Sequence, residues 1–386
     1  MTMASTETKA AGTDYLSTTC ERKALTAAVA AAKLATASRG IMPVMSHVRV
    51  SSGAHSLTLT GHNFEWAITT RIPATTETAG EGVCVPVRQL ADVLAAFTAG
   101  IVTLTASKRA LQIAGTTIVG LATDDMPLVP LVEGGMSVKL DPEGLRRAIR
   151  QVAYAAAADD NLGPVRTGVH VLLENGALTM AAADGFRLSV RRLDLDSQIG
   201  ERTEIIIPAP ALKALVKLLK GVTEAVEMTV NEARTHVLFR LGATELVSQL
   251  IPGTFPNYRT VIPPDSRTRV TVRVAELLHL VKQAAPFAKF DGGIVRLQTV
   301  STLALSQLLV SARAADVGEH RGEVAATIDG DAANKIALNY AYLTEVLQVL
   351  DAEKVTIEIT EPYASAVLRP VGSEGVYVIM PMFVQW

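Results

Sequence analysis

The apolar positions of this chain fall into one pattern that comes round three times. Val83-Cys84-Val85, Ile205-Ile206-Ile207 and Ile336-Ala337-Leu338 read as strands, closed by Pro86, Pro208 and Asn339. Beyond each closing residue the spacing turns helical: Leu90 and Leu94, Leu212 and Val216, Leu343 and Leu347. Alternation then returns in Val102-Thr103-Leu104-Thr105, Val226-Glu227-Met228-Thr229 and Val355-Thr356-Ile357-Glu358. Each unit ends on an apolar residue and a proline: Met126-Pro127, Phe255-Pro256, Met380-Pro381. A period of about 120–130 residues is the size of a domain rather than of a solenoid unit.

The pattern predicts domains over 15–135, 136–264 and 265–386. The first opens with a helix over 21–36, followed by strands near 47–50 and 57–60. The second opens at Asp141-Pro142-Glu143, where Asp suits a cap and Pro a first turn, with a helix running to about Ala158. Strands over 169–174 and 177–181 flank Asn175-Gly176, a strong hairpin signal. The third has a helix over 274–288 and strands from Ile294 onward; over 312–330 no period is clear and no element is predicted. Glu133-Gly134-Gly135 and Pro263-Pro264-Asp265 are breaker-rich linkers. The fold class is α+β, with two helices per domain packed on antiparallel sheets.

Composition narrows the chemistry. The 386 residues are 49% hydrophobic and 4% aromatic, so Ala, Val and Leu build small regular cores. The formal net charge of −2 excludes a uniformly basic nucleic-acid binder; any such role needs local clustering. Two distant cysteines, Cys20 and Cys84, fit a reducing compartment and ordinary packing. Residues 1–14 lack the apolar core of a signal peptide and read as a disordered tail. The Ala-rich run over 24–37 is too short to span a bilayer and is interrupted by Lys33. A soluble cytoplasmic protein is expected.

No Walker or dinucleotide motif is present, and Ser46 and Ser189 lack a nucleophile-elbow context. The seven histidines show no metal spacing, and His170 reads as structural. Asp124-Asp125 and Asp159-Asp160 read as solvated turns, the alternative being a hydrolase built on paired carboxylates. No catalytic residue, metal or cofactor is expected. Charge on the helices is more telling. Arg146, Arg147 and Arg150 share one helix; Lys213, Lys217 and Lys220 follow i, i+4, i+7 spacing on another. Such faces suit phosphates without reading sequence, and equally suit plain solvation.

Three further motifs carry a resemblance. Ala183-Asp184-Gly185-Phe186-Arg187-Leu188 follows a strand, and Gly253-Thr254-Phe255-Pro256-Asn257-Tyr258-Arg259 ends the second domain ahead of Val261-Ile262-Pro263. Tyr377-Val378-Ile379-Met380-Pro381-Met382 stands near the end of the chain. Together with the threefold repeat, they resemble the bacterial DNA polymerase III β subunit, the sliding clamp, over about 15–384. The resemblance implies two chains closing head-to-tail into a ring around duplex DNA, with helices lining the hole. It implies a non-catalytic processivity factor that slides on weak, sequence-independent contacts. The implied partners are duplex DNA, a second copy, the polymerase III catalytic subunit, an ATP-driven loader and other replication and repair proteins.

The family's peptide pocket carries over to Arg166, Gly185, Arg187, Leu188, Pro256, Thr260, Val261, Ser365, Val378, Met380, Pro381 and Met382. Its DNA-facing positions carry over to Arg39 and Arg88, and the helix faces add Arg146, Arg150, Lys213 and Lys217. The dimer seam carries over to Val119 and Leu121, taken as edge-strand residues, and to Phe287. Thr116 and Ile118 stand where Arg can occur, implying a seam less reliant on ion pairs. Arg166 stands where the family usually has an apolar residue, Thr260 and Phe383 replace Arg, and Gln385-Trp386 extend the usual end. These departures imply an altered peptide or inhibitor preference. A main clamp, a divergent accessory copy and a clamp-fold scaffold that no longer encircles DNA all remain open.

Overall fold

A computed structural model describes residues 16–37, 42–161, 163–195, 202–301, 305–331 and 334–386. The expected tail over 1–14 and Arg39 lie outside the described residues. The first repeat runs β1 (Leu16–Glu21), α1 (Arg22–Lys33), β2 (His47–Gly53), β3 (Ser56–His62), β4 (Trp66–Thr78), β5 (Gly80–Pro86), α2 (Val87–Ala96), β6 (Ile101–Ser107), β7 (Ala110–Ile113) and β8 (Thr116–Val119). The second runs β9 (Met136–Leu140), α3 (Pro142–Val152), β10 (Gly168–Glu174), β11 (Ala177–Ala183), β12 (Arg187–Asp194), β13 (Thr203–Pro208), α4 (Ala209–Leu218), β14 (Val226–Val230), β15 (His236–Leu241) and β16 (Thr244–Gln249). The third runs β17 (Thr268–Arg273), α5 (Val274–Ala288), β18 (Ile294–Ser301), β19 (Ser306–Ala314), β20 (Gly318–Ala325), β21 (Thr327–Gly330), β22 (Lys335–Asn339), α6 (Tyr340–Val349), β23 (Lys354–Ile359), β24 (Ala366–Pro370) and β25 (Val376–Ile379). Apart from β21, the order of strands and helices is the same each time.

The equivalent elements bury equivalent positions. β6, β14 and β23 turn Val102 and Leu104, Val226 and Met228, Val355 and Ile357 inward. α2 buries Leu90 and Leu94, and α6 buries Leu343 and Leu347. In α4 the buried pair is Leu212 and Leu215, while Val216 is only half-buried. Asn175 and Gly176 take φ of 50° and 68°, as a tight hairpin between β10 and β11 demands.

The differences from expectation have local causes. α1 stops at Lys33 because its last turn tightens, Leu34 and Ala35 donating to the carbonyls of Ala31 and Ala32. α3 stops at Val152 and passes into a 3₁₀ turn over Ala153–Ala155. There the Tyr154 carbonyl accepts from Arg187 Nη2, and Ala157 donates to the Arg166 carbonyl instead of continuing the helix. Lys220 falls in the turn beyond α4, so only Lys213 and Lys217 lie on the helix. Segment 312–330 is strand after all: β20 buries only Val324, which leaves no apolar period to read. Both Asp pairs sit in turns, Asp124-Asp125 within a 3₁₀ turn over Thr123–Asp125.

By internal contacts the residues group into two units, and the division passes through the second repeat. One unit is Met1–Pro142 with Lys217–Leu250. Its antiparallel sheet runs β8-β7-β6-β1-β4-β16-β15-β14-β9, with β2, β3 and β5 joined alongside. The β4–β16 ladder pairs Ile68 with Leu246 and Thr70 with Thr244, so the first two repeats share one sheet. The core of the first repeat is Leu16, Leu25, Val29, Leu57, Leu59, Leu90, Leu94 and Leu104, all buried.

The other unit is Glu143–Val216 with Ile251–Trp386. Its larger sheet runs β13-β10-β11-β12-β25-β24-β23-β17-β21, and a smaller one runs β20-β19-β18-β22. β12 pairs with β25, Leu188 opposite Val378, so the second and third repeats are joined by backbone as well. Cys20 and Cys84 are buried free thiols, pushed up to about 11 by burial.

Candidate peptide-docking cleft

The β12–β25 joint positions a cleft within the second unit. The Ala183-Asp184-Gly185-Phe186 turn brings the chain into β12. Gly185 has φ of 92°, a conformation that a side chain would strain. Asp184 Oδ1 accepts from the amides of Phe186 and Arg187, at 3.0 and 3.1 Å, and Oδ2 accepts from Arg187 Nε at 2.9 Å. Met380 donates its amide to the Phe186 carbonyl, tying the segment beyond β25 to the same turn. Beneath, Leu188, Val367 and Val378 form a small buried cluster, with Tyr258 and Ile262 packed on it.

The opposite wall is the 253–261 segment. Gly253 is required there: its φ is 128°, and a Cβ would lie 2.8 Å from Val165 Cγ1. Phe255 is buried and stacks on His170, centroids 5.2 Å apart, and Tyr258 meets both rings edge-on. His170 is packed into this wall, and its Nε2 lies 2.9 Å from Glu204 Oε1. Asn257 caps the 3₁₀ turn over Tyr258–Val261, and Thr260 Oγ1 donates to the Asn257 carbonyl.

The resulting cleft has a volume of about 300 Å³ and is lined mainly by apolar groups. Of the positions expected to form the pocket, Arg166, Gly185, Arg187, Leu188, Pro256, Val261, Ser365, Val378 and Met380 line it together. Thr260, Pro381 and Met382 do not. Thr260 turns back onto its own 3₁₀ turn, and the Met382 amide donates to the Ala337 carbonyl, drawing the chain toward β22. Ala183, Phe255, Asn257 and Tyr258 also line the cleft. Their motifs were visible in the sequence, but the aromatic stack that turns them toward one wall was not.

The two arginines differ sharply. Arg187 is compensated on every side: Asp184 and Glu345 are its ion pairs, the Tyr154 carbonyl accepts from Nη2, and the Tyr342 ring lies 4.5 Å below it. Ser189 Oγ donates to the Tyr154 hydroxyl, and burial drives that phenol well above its usual range. The Arg166 guanidinium, by contrast, has no ion pair or hydrogen bond among the described residues. Behind Phe255 and Tyr258 lies a second, polar hollow of about 320 Å³ with Arg202, Arg259, Glu174 and Glu204. The hydrogen bond from His170, joined by Arg202, holds the Glu204 carboxyl below its usual range.

The other expected sites are more scattered. Arg88, Arg150, Lys213 and Lys217 are exposed. Arg146 is committed to Glu143 through two contacts of 2.7 Å, and Arg147 lies 3.2 Å from Asp351, so neither is a spare cation on α3. Val119 is 75% exposed at the end of β8, the edge of its sheet. Leu121 is not on that strand: it bridges to Cys84 and is half-buried beside Val44 and Met126. Gly120 permits this, since a Cβ there would lie 2.3 Å from the Cys84 carbonyl oxygen. Ile118 faces the core, and Phe287 is half-buried against the core of the third repeat. Phe383 stacks on Tyr363 at 5.6 Å, and the Trp386 ring lies 4.8 Å from Lys335 Nζ. Among the described residues no helix is long and apolar enough to cross a membrane.

Comparison with known proteins agrees along the whole repeat. Family models of the N-terminal, central and C-terminal domains of the DNA polymerase III beta subunit match residues 16–130, 139–257 and 259–383. The beta sliding clamp of Staphylococcus aureus is 26% identical over 360 residues, covering 89% of this chain and 93% of the relative. The DNA polymerase sliding clamp of Bacillus subtilis superposes with a TM-score of 0.89 at 22% identity, covering 96% of this chain and all of that one. A Pseudomonas aeruginosa sliding clamp bound to griselimycin gives a TM-score of 0.85 at 25% identity, covering 97% of this chain and 100% of the other. The chain belongs to the DNA polymerase III beta subunit family, the DNA sliding clamps, which are non-catalytic processivity factors of the replicative polymerase.

Proposed function

We propose that two copies of this chain close into a ring around duplex DNA, and that the cleft beside β12 and β25 docks short apolar segments of the proteins that use the ring. The domains are those of 15–135, 136–264 and 265–386, and the place of action is the cytoplasm. The observation that carries the docking reading is the cleft itself: Leu188, Val261, Val378 and Met380 offer apolar surface beside a few polar groups, room enough for one or two large side chains. Met380, 49% exposed, is an adaptable contact for varied partners. Those partners are the polymerase catalytic subunit, the loader and repair proteins that carry such segments. A tethered polymerase meets its template at high effective concentration, which is the physical basis of processivity.

Arg88, Arg150, Lys213 and Lys217 are the proposed DNA-facing cations among the described residues, and Arg39 joins them from outside that set. Arg146 drops behind because Glu143 neutralises it. Self-association uses the β8 edge at Val119 against the part of the third repeat that carries Phe287, with Leu121 in support. An exposed edge strand ending in an apolar residue is stabilised by such pairing.

The test is retention on nicked circular DNA after incubation with a bacterial clamp loader and ATP. A ring stays on the circle in moderately high salt and is lost when the circle is linearised. Equal retention on both forms overturns the topological reading. Failure to load, together with monomeric behaviour at micromolar concentration, favours a clamp-fold scaffold.

A further inference from the structure

The chain between β8 and β9 carries a short repeat of its own. Pro127-Leu128-Val129 is followed at once by Pro130-Leu131-Val132, a period of three residues. That is the period of the polyproline II helix. Each proline fixes its own φ and keeps the residue before it extended; Met126 has φ of −96° and ψ of 129°. Over 127–133 there is no helix, strand or turn, and no backbone hydrogen bond among the described residues, as in a polyproline II helix. Burial follows the same period. The prolines and valines are half-buried, whereas Leu128 and Leu131 are 79% and 78% exposed. At a rise of about 3.1 Å per residue the two leucines stand on one side, about 9 Å apart.

One exposed leucine is ordinary on a protein surface. Two in register on a stiff support form an apolar ridge whose backbone is ordered before any partner arrives. The charge around the ridge has one sign. Asp124 and Asp125 precede it, Glu133 follows it, and Glu232 reaches over Gly134. Between Arg109 and Lys139 the chain has no Lys or Arg.

We propose that the 127–132 ridge docks a partner protein whose groove has aromatic walls and a rim of Lys or Arg. Aromatic grooves accept polyproline II ligands because little chain entropy is lost on binding. The two leucines fill the groove, and the flanking carboxylates favour a basic rim and oppose an acidic one. None of these residues lines the cleft beside β12 and β25, so the two docking roles stand or fall separately.

The test uses the full chain with Leu131 replaced by p-benzoylphenylalanine, and as control the same photoreactive residue at exposed Gln112. Cells of the chain's own host are illuminated and the joined peptides are sequenced. The expected product is one dominant partner joined at position 131 and not at 112. Its attachment point lies in a groove walled by Phe, Tyr or Trp and rimmed by Lys or Arg. That partner, purified, binds the native chain. Leu128→Ser with Leu131→Ser weakens binding roughly tenfold or more and leaves the melting temperature unchanged, since both leucines face solvent. Pro130→Gly keeps both leucines but frees the backbone, and weakens binding roughly threefold. Asp124→Asn with Asp125→Asn weakens it at low salt and much less at high salt. No joined product above the control, or joining to a second copy alone, overturns the proposal. So does an attachment site without aromatic walls or with an acidic rim, and so does equal binding by the serine variant.

Discussion

Arg187 shows how one residue can organise a wall. Its side chain is only 10% exposed, yet two carboxylates, a carbonyl and two aromatic rings surround it. Removing it leaves the carboxylate of Asp184, itself only 14% exposed, without its ion pair and frees the Tyr154 carbonyl. Such a deletion costs far more than the net worth of the ion pair, because an uncompensated charge remains. Arg187→Ala is therefore expected to lower stability by roughly 2–4 kcal/mol, read from the midpoint of chemical denaturation. A loss under about 0.5 kcal/mol, the scale of an ordinary surface change, would show that the network is solvent-screened decoration. The contrast with Arg166 is instructive. The same residue type, in the same cleft, is a structural cation in one place and an unsatisfied one in the other.

At the scale of elements, the edge strand β8 ends on an exposed apolar residue. Its last residue, Val119, faces solvent while its neighbour Ile118 is buried. Val119→Asp thus leaves the core untouched and places a charge on the unpaired edge. The expected outcome is an unchanged melting profile with self-association weakened at least tenfold, measured by sedimentation at several concentrations. Unchanged association would move the seam elsewhere.

The elements themselves were largely readable from the chain, and the reasons are visible. Val226 and Met228, or Leu90 and Leu94, announce their elements because one face is buried and the other is wet. β20 did not announce itself, since only Val324 is buried and its ladder rests on backbone bonds to β19. The end of α3 was unreadable for a different reason: Tyr154 leaves the helix to serve Arg187 and Ser189, which are far away in sequence. The cleft was half readable. Its strand residues stand in short motifs, whereas the burial of Leu121 and the turning away of Thr260 and Met382 depend on contacts that no local pattern encodes.

For the whole molecule, the placement of backbone ladders has a consequence for how it can be cut. The stretch between Pro127 and Gly135 is exposed at Leu128 and Leu131, and it contains no helix or strand. Such a segment is a natural site of nicking. Yet the chain on either side is fastened by something other than this stretch: β4 and β16 are adjacent strands of one sheet, with the Thr70 and Thr244 hydroxyls 3.1 Å apart. Limited digestion with thermolysin is expected to yield two bands on a denaturing gel that still elute as one species on a sizing column. Separate elution would show that the peptide link, not the ladder, holds them. If the pieces stay together, the first repeat and the remainder could be made as two polypeptides and mixed. The continuity of the protein would then reside in its sheet rather than in its covalent chain.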